Sequence, residues 1–242
     1  MKGSWSHILP GIRVEGQPYQ RAHLWFDHFD IGGYLPNTAG RGGKYDETAD
    51  SGEWLVTVVD GGGDNGETIT VQDNVDNGIT KFTTNDADND ALNLQRNGEG
   101  FRLKTGRQLL MEFRLAIVDV DKTDWLIGLA ITDTTLLDGT TDGLYFRVPA
   151  GDSSQQITAV AEKSSVETVL STGVSVTDNE YVILRMEAYE LGRVLVYVNG
   201  AYTGELVTNL PLEHMTPSLH IRNAGAQANS LLLDYGFAVQ DS

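Results

Sequence analysis

Hydrophobic and polar residues alternate along most of the chain after residue 53, and this pattern predicts β-strands. Side chains two residues apart share one face of a strand, so each alternating run marks a buried side and an open side. The clearest run covers residues 108–118. Its apolar side carries Leu109, Met111, Phe113, Leu115 and Ile117. Residues 181–189 and 194–198 show the same alternation, and we expect their apolar sides to face a common core.

Shorter apolar runs separated by Gly, Asp and Asn clusters predict further strands. These runs cover residues 54–60, 67–72, 79–84, 91–95, 100–104, 125–132, 143–148, 156–162, 166–171, 201–207 and 217–222. A final strand is predicted at 230–240. Its residues expected to share one side are Leu231, Leu233, Tyr235, Phe237 and Val239.

The turn chemistry fits antiparallel pairing. Asn199-Gly200 follows an alternating run and precedes another, and Asn-Gly tolerates the two positive φ angles of a type I′ hairpin turn. Helical periodicity is almost absent. The sequence therefore predicts an all-β, antiparallel jelly-roll or β-sandwich domain over residues 51–242.

Residues 1–50 show neither a strand nor a helix period, and we interpret them as an extended N-terminal arm. Their aromatic side chains are candidates for interface contacts. These candidates are Trp5, Tyr19, Trp25, Phe26, Phe29 and Tyr34. Two interpretations stay open: the arm docks back on the sandwich of its own chain, or it buries these aromatics against another subunit.

Charge limits the classes of partner. The chain carries 17 Lys and Arg against 34 Asp and Glu, a formal net charge of −17. Such a charge repels phosphate backbones and anionic lipid headgroups, so neither nucleic acid nor a membrane is an expected partner. Cysteine is absent from the sequence, which excludes disulfides and thiolate metal sites.

Catalytic patterns are missing, and we expect the protein not to be an enzyme. Retaining glycosidases on a concanavalin-type sandwich need two neighbouring carboxylates, carried on a strand as Glu-x-Asp-x-x-Glu. The nearest pair here, Glu187 and Glu190, points to opposite faces of a strand. The aromatics Trp54, Trp125 and Tyr145 could form a sugar platform, but their strand positions favour core packing.

Asp86, Asp88 and Asp90 have the spacing that opens a calcium loop. However, Ala91 stands where that loop needs glycine, and Asn97 stands where it needs glutamate. An EF-hand is therefore excluded. A solvated turn is the preferred interpretation, with a calcium ion in a sandwich loop as the alternative. We predict no catalytic residue and no required cofactor.

Several short segments resemble a recurrent group of tailed-bacteriophage virion proteins. They lie at residues 25–29, 83–95, 99–101, 127–133, 142–146, 196–200 and 233–235, in the order that the group shows. Members of this group look like concanavalin A-like jelly rolls that serve as head decoration or cement proteins.

The resemblance implies a function and a set of partners. The protein would bind the major capsid protein as a dimer or trimer on the outer capsid surface, after synthesis in the host cytoplasm. It would stabilise capsomer junctions there. The alternatives are a phage tail or fibre component and a carbohydrate-binding, lectin-like module.

Overall fold

The computed structural model describes residues 22–27, 54–59, 61, 66–72, 79–148 and 154–241. These residues form fifteen strands, one short helix and one 3-10 turn. The strands are β1 (Ala22–Asp27), β2 (Trp54–Val59), β3 (Thr68–Gln72), β4 (Ile79–Thr83), β5 (Ala91–Arg96), β6 (Leu109–Ile117), β7 (Thr123–Ala130), β8 (Gly143–Val148), β9 (Gln156–Lys163), β10 (Val166–Ser175), β11 (Val182–Glu190), β12 (Arg193–Val198), β13 (Ala201–Leu206), β14 (Thr216–Asn223) and β15 (Ser230–Asp241). The helix α1 covers Leu136–Gly139, and the 3-10 turn covers Val120–Lys122.

The strands form two sheets. Sheet A has the order β13-β12-β11-β6-β15-β4-β3, with β1 also paired to β15, and sheet B has the order β10-β9-β8-β7-β14-β5-β2. Neighbouring strands in both sheets run antiparallel. The predicted all-β antiparallel jelly roll is confirmed.

The core lies between the two sheets and is built from the apolar sides that the alternation predicts. The inward residues of β6, Leu109 through Ile117 at every second position, all belong to one buried cluster. Sheet B supplies Trp125 and Phe146 to the same cluster, and both are 0% exposed. Because chain-distant strands interleave in each sheet, this core joins residues from 54 to 238.

Strand β15 departs from the predicted pattern. Leu231 and Leu233 face the core, but Phe237 and Val239 form a separate buried cluster with Leu110, and Tyr235 packs against that cluster. The reason is a β-bulge: Leu233 pairs with Leu115 while Tyr235 pairs with Arg114, so one extra residue interrupts the register. The prediction that all five apolar residues share one side is wrong, because the bulge moves the second half of the strand to the outer face.

Residues 100–104 do not form the predicted strand. The segment makes a single bridge, Phe101 to Met215, and then turns at residues 104–107, where the Arg107 N–H donates to the Lys104 carbonyl at 3.1 Å. Gly106 has φ +73°, the value that the third residue of a type II turn requires. The side chain of Gln240 takes the place of a ladder neighbour, since its Oε1 accepts from the Arg102 N–H at 3.0 Å.

The hairpin between β12 and β13 has the predicted turn. Asn199 and Gly200 have φ values of 51° and 77°, both in the left-handed region of a type I′ turn. Asn199 also ties the turn to β11, because its Oδ1 accepts from the Ile183 N–H at 2.9 Å. The hairpin is thus held at the edge of sheet A by a side chain as well as by its ladder.

Within residues 1–50 the structure describes β1, which pairs with β15 from Ala22 opposite Asp241 to Asp27 opposite Gly236. Trp25 and Phe26 lie in this strand, so this part of the predicted arm adds a strand to sheet A. Trp5, Tyr19, Phe29 and Tyr34 lie outside the described residues. Across the described parts of the chain, no helix is long and apolar enough to cross a membrane.

Candidate functional site

The centre of the outer face of sheet B carries buried polar side chains. Central strand β7 points Trp125, Ile127 and Leu129 to the core, so its outward positions are Asp124, Leu126 and Gly128. Neighbouring strands add further outward residues that are each less than 9% exposed. They are Asn93, Gln95, Tyr145, Val160, Glu162, Ser218 and His220. Something must cover this face.

The cover is the segment of residues 131–142, which connects β7 to β8 and contains α1. Its backbone binds the sheet: the Ile131 carbonyl accepts from Gln95 Nε2 at 2.9 Å, and the Asp133 N–H donates to Gln95 Oε1 at 2.8 Å. Leu137 packs on the cluster of Leu126, Tyr145 and Val160. This half of the outer face is therefore filled by the chain itself.

His220 lies under this cover and is neutral. Its Nδ1 is hydrogen-bonded to the Asn93 Oδ1, and Asn93 Nδ2 donates to the Thr134 carbonyl at 2.5 Å. Burial, with the nearby positive charge of Arg222, lowers the pKa of His220 to about 3. Such a histidine fixes the cover to the sheet and does not titrate near neutral pH.

A second polar network lies toward the edge of sheet B and runs from buried Glu162 to exposed Glu167. The Tyr145 hydroxyl contacts Glu162 Oε2 at 2.8 Å and Glu167 Oε1 at 3.1 Å, and Arg147 binds Glu167 with two bonds of 2.6 and 2.7 Å. Burial raises the pKa of Glu162 above its ordinary value. The two carboxylates face each other across β9 and β10. The Tyr145 hydroxyl bridges them, so both carboxylates are engaged by side chains of the protein.

The outer face of sheet A presents a different surface, with aromatic side chains open to solvent. One cross-strand row runs from Tyr202 on β13 to Tyr197 on β12, Arg185 on β11 and Glu112 on β6. Tyr189 lies four residues beyond Arg185 on the same side of β11. Tyr189 and Tyr202 are 45% and 55% exposed. We refer to Tyr189, Tyr197 and Tyr202 as the tyrosine surface.

Charged partners orient these rings. Tyr197 and Tyr202 meet edge to face with ring centroids 5.7 Å apart, and the Arg185 guanidinium lies 5.7 Å from the Tyr197 centroid. Glu187 forms an ion pair with Arg185 and accepts a hydrogen bond from the Tyr189 hydroxyl. That bond, with partial burial, raises the pKa of Tyr189 to about 12. Tyr189 therefore stays protonated near neutral pH, and the contacts with Glu187 and Arg185 orient the rings of Tyr189 and Tyr197.

A small cavity of about 20 Å³ adjoins the tyrosine surface. It is lined by Gln108, Leu109, Leu110, Arg185, Glu187, Ala188, Tyr189, Val239 and Asp241. Apolar side chains from β6 and β15 line it together with amide, guanidinium and carboxylate groups. A space of this size holds about one water molecule, so a larger ligand would lie on the tyrosine surface and not inside the cavity.

The residues singled out from the sequence lie elsewhere. Trp54, Trp125 and Tyr145 are at most 2% exposed, as core packing predicts, so none of them forms an open platform. Asp90 is buried and accepts from the Gly61 and Ala87 N–H groups at 2.7 and 2.8 Å, whereas Asp86 and Asp88 are exposed. Within the described ranges, no group of three or more acidic or histidine side chains could hold a metal ion.

Comparison with solved structures gives the fold class. The domain resembles the metal-free carbohydrate recognition domain of Emp46p, with 12% identity, 80% of this chain and 90% of that chain covered, and a TM-score of 0.55. It also resembles the endo-1,3-beta-glucanase of Streptomyces sioyaensis, at 12% identity, 93% and 99% coverage and a TM-score of 0.60. A third match is Bacillus licheniformis beta-glucanase, at 12% identity, 89% and 97% coverage and a TM-score of 0.55.

These matches make the chain a concanavalin A-like jelly-roll domain. Searches of family models and of curated protein sequences found no match. The structural neighbours include both carbohydrate-recognition domains and glucanases, and the level of identity shows the shared fold alone. What this chain does must be argued from its own surfaces.

Proposed function

We propose that the protein is a non-catalytic, lectin-like carbohydrate-binding domain whose ligand lies on the tyrosine surface of sheet A. The carrying observation is a set of solvent-exposed tyrosine rings fixed on adjacent strands beside a guanidinium and a carboxylate. Sugar rings present C–H groups that pack on an aromatic face and hydroxyls that need hydrogen-bond partners. The tyrosine surface supplies both in one place.

The outer face of sheet B is occupied by the protein's own residues, which supports placing the ligand on sheet A. Residues 131–142 cover its centre, and the carboxylates near its edge are engaged by Tyr145 and Arg147. A glycosidase needs two carboxylates with room for a sugar between them. The Tyr145 hydroxyl bridges Glu162 and Glu167, so binding without hydrolysis fits the described residues better than catalysis.

Capsid decoration stays a prediction. The structural neighbours named above support the lectin-like alternative, and no comparison connects this chain with a phage virion. The same holds for three further predictions: the major capsid protein as partner, the dimer or trimer, and the location on the capsid surface. A protein that binds purified phage heads but no glycan would favour the decoration hypothesis over the one proposed here.

The tyrosine surface can be tested by removing its two exposed rings. A glycan array probed with the full chain first selects a saccharide. We then expect Tyr189→Ala with Tyr202→Ala to weaken its binding by about tenfold to a hundredfold, because each ring contributes roughly 1 kcal/mol of contact or more. Isothermal titration calorimetry measures the change in Kd.

The matched control removes exposed apolar groups at another place. Val166→Ala with Val169→Ala changes side chains that are 56% and 50% exposed on β10, and we expect it to leave Kd unchanged. Melting temperatures of all variants show whether the fold is kept. Equal affinity of the tyrosine variant and the wild type would contradict the proposal.

A further inference from the structure

A basic cavity lies beside the C-terminal end of β15, next to the tyrosine surface. Its volume is about 170 Å³. Its lining is Gly100, Arg102, Lys104, Arg107, His214, Gln240 and Asp241. Three permanent cations and a histidine thus meet one carboxylate, in a chain whose net charge is −17. We refer to these residues as the basic pocket.

The cations of the basic pocket form no ion pair with a carboxylate among the described residues. Arg114, Arg147, Arg185, Arg193 and Arg222 each form an ion pair with a carboxylate. Over the described ranges, Arg102, Lys104 and Arg107 have no carboxylate within 4.0 Å, although Asp241 lines the same cavity. Unpaired guanidinium groups that converge on one cavity offer a fork geometry that matches an oxyanion.

The frame around these side chains is rigid. Gln240 is 8% exposed, and its amide bonds both backbone groups of Arg102, donating to the carbonyl and accepting from the N–H. The type II turn at residues 104–107 fixes Lys104 and Arg107 at its two ends. The backbone that carries these cations is therefore fixed before an anion binds, and only their side chains have to be ordered.

The basic pocket and the cavity beside the tyrosine surface are neighbours that share one lining residue. Asp241 lines both cavities, and Arg107 of one is followed in the chain by Gln108 of the other. Likewise, Val239 lines the cavity beside the tyrosine surface, and the next residue, Gln240, lines the basic pocket. Tyr189 and the three cations of the basic pocket thus border neighbouring cavities at the end of β15.

We propose that the basic pocket binds the oxyanion substituent, sulfate ester or uronate carboxylate, of an acidic saccharide whose neighbouring ring lies against Tyr189. This inference rests on the proposed carbohydrate-binding function and narrows the ligand class to acidic glycans. The overall negative charge of the protein opposes nonspecific attraction of polyanions. Recognition must therefore come from this local cluster of cations.

The test compares charged and uncharged forms of the same saccharide on the full chain. The probes are sulfated heparin-derived oligosaccharides with their desulfated forms, and oligoglucuronate with neutral glucan oligomers. Calorimetry on the wild type is expected to show binding of one acidic form about tenfold or more tighter than its uncharged counterpart. A larger preference in the heparin comparison identifies sulfate as the recognised group, and a larger preference in the glucuronate comparison identifies carboxylate.

The deciding variant is Arg102→Gln with Arg107→Gln, which removes charge while keeping side-chain length. We expect it to abolish the preference for the acidic form and to leave the affinity for the uncharged form unchanged. Its control is Lys122→Gln with Lys163→Gln, which removes two exposed charges outside the pocket and should keep the preference. Thermal melting verifies that each variant is folded.

The outcomes separate this inference from the function on which it rests. Two outcomes overturn only the proposed anion site in the basic pocket. In the first, saccharide binding depends on Tyr189 and Tyr202 but shows no preference for the acidic form. In the second, that preference survives the double arginine variant. If neither form of any saccharide binds, both proposals fail. A calorimetric titration with inorganic sulfate then shows whether the pocket binds a free anion instead.

Discussion

Replacing Phe113 by alanine is expected to lower the free energy of unfolding by about 3–5 kcal/mol. The side chain is 1% exposed and lies on β6, near the middle of sheet A, inside the core that joins both sheets. Its loss removes buried apolar area and leaves a cavity, because strands held by neighbours on both sides cannot close around it. Urea denaturation followed by circular dichroism measures the change.

A matched change at the surface separates core packing from general sensitivity. Val169→Ala on β10 removes apolar atoms from a side chain that is 50% exposed, and we expect its effect to stay within about 0.5 kcal/mol. A loss below about 1 kcal/mol for Phe113→Ala would show that Phe113 does not face the core between the sheets.

Acid should destabilise the protein through His220. Its pKa is about 3 in the folded state, below the ordinary value of 6.5, because burial and the charge of Arg222 disfavour its protonated form. The unfolded chain therefore takes up a proton that the folded chain excludes. The contribution of neutral His220 to the free energy of unfolding is complete above pH 6.5. It decreases by about 1.4 kcal/mol per pH unit as the pH falls from there toward 3.

The comparison that isolates this effect is His220→Gln, which does not titrate. Between pH 6.5 and 5 most carboxylates stay ionised, so the wild type should lose roughly 2 kcal/mol of stability that the variant does not lose. Glu162 and Asp124, whose pKa values are raised by burial, change stability in the opposite direction and are common to both proteins. If the free energy of unfolding of the wild type and of His220→Gln changed equally with pH, the result would contradict a buried, neutral His220.

Most strands were predictable because an antiparallel sandwich buries one side of each strand, and the alternation records that side directly. β6, β11 and β12 follow it without interruption. The prediction failed where a local irregularity breaks the period of two. The bulge before Tyr235 inverts the outer half of β15, and the turn at 104–107, with Gln240 as a side-chain partner, replaces a strand at 100–104. Gly106 and Gly236 are local signals for a turn and a bulge, but neither glycine by itself fixes where the period breaks.

The site was less accessible to sequence reasoning, because pairing between distant strands builds it. The burial of Trp54, Trp125 and Tyr145 followed from their strand positions. Tyr189 lies two residues after Glu187 and four after Arg185, on the polar side of a predicted strand. This spacing could have marked its side chain as outward. In contrast, Tyr197 and Tyr202 join it only through the sheet order, and the basic pocket brings together Arg102 and Asp241 from distant parts of the chain.

The central claim, that a saccharide lies on the outer face of sheet A, can be tested by fluorine NMR on protein labelled with 3-fluorotyrosine. The chain has 9 tyrosines, and single Tyr→Phe variants assign their resonances. On addition of the saccharide selected by the array, we expect the resonances of Tyr189, Tyr197 and Tyr202 to shift while that of buried Tyr145 stays fixed. Shifts centred on Tyr145, with the tyrosine surface unchanged, would place the ligand on sheet B and contradict the account.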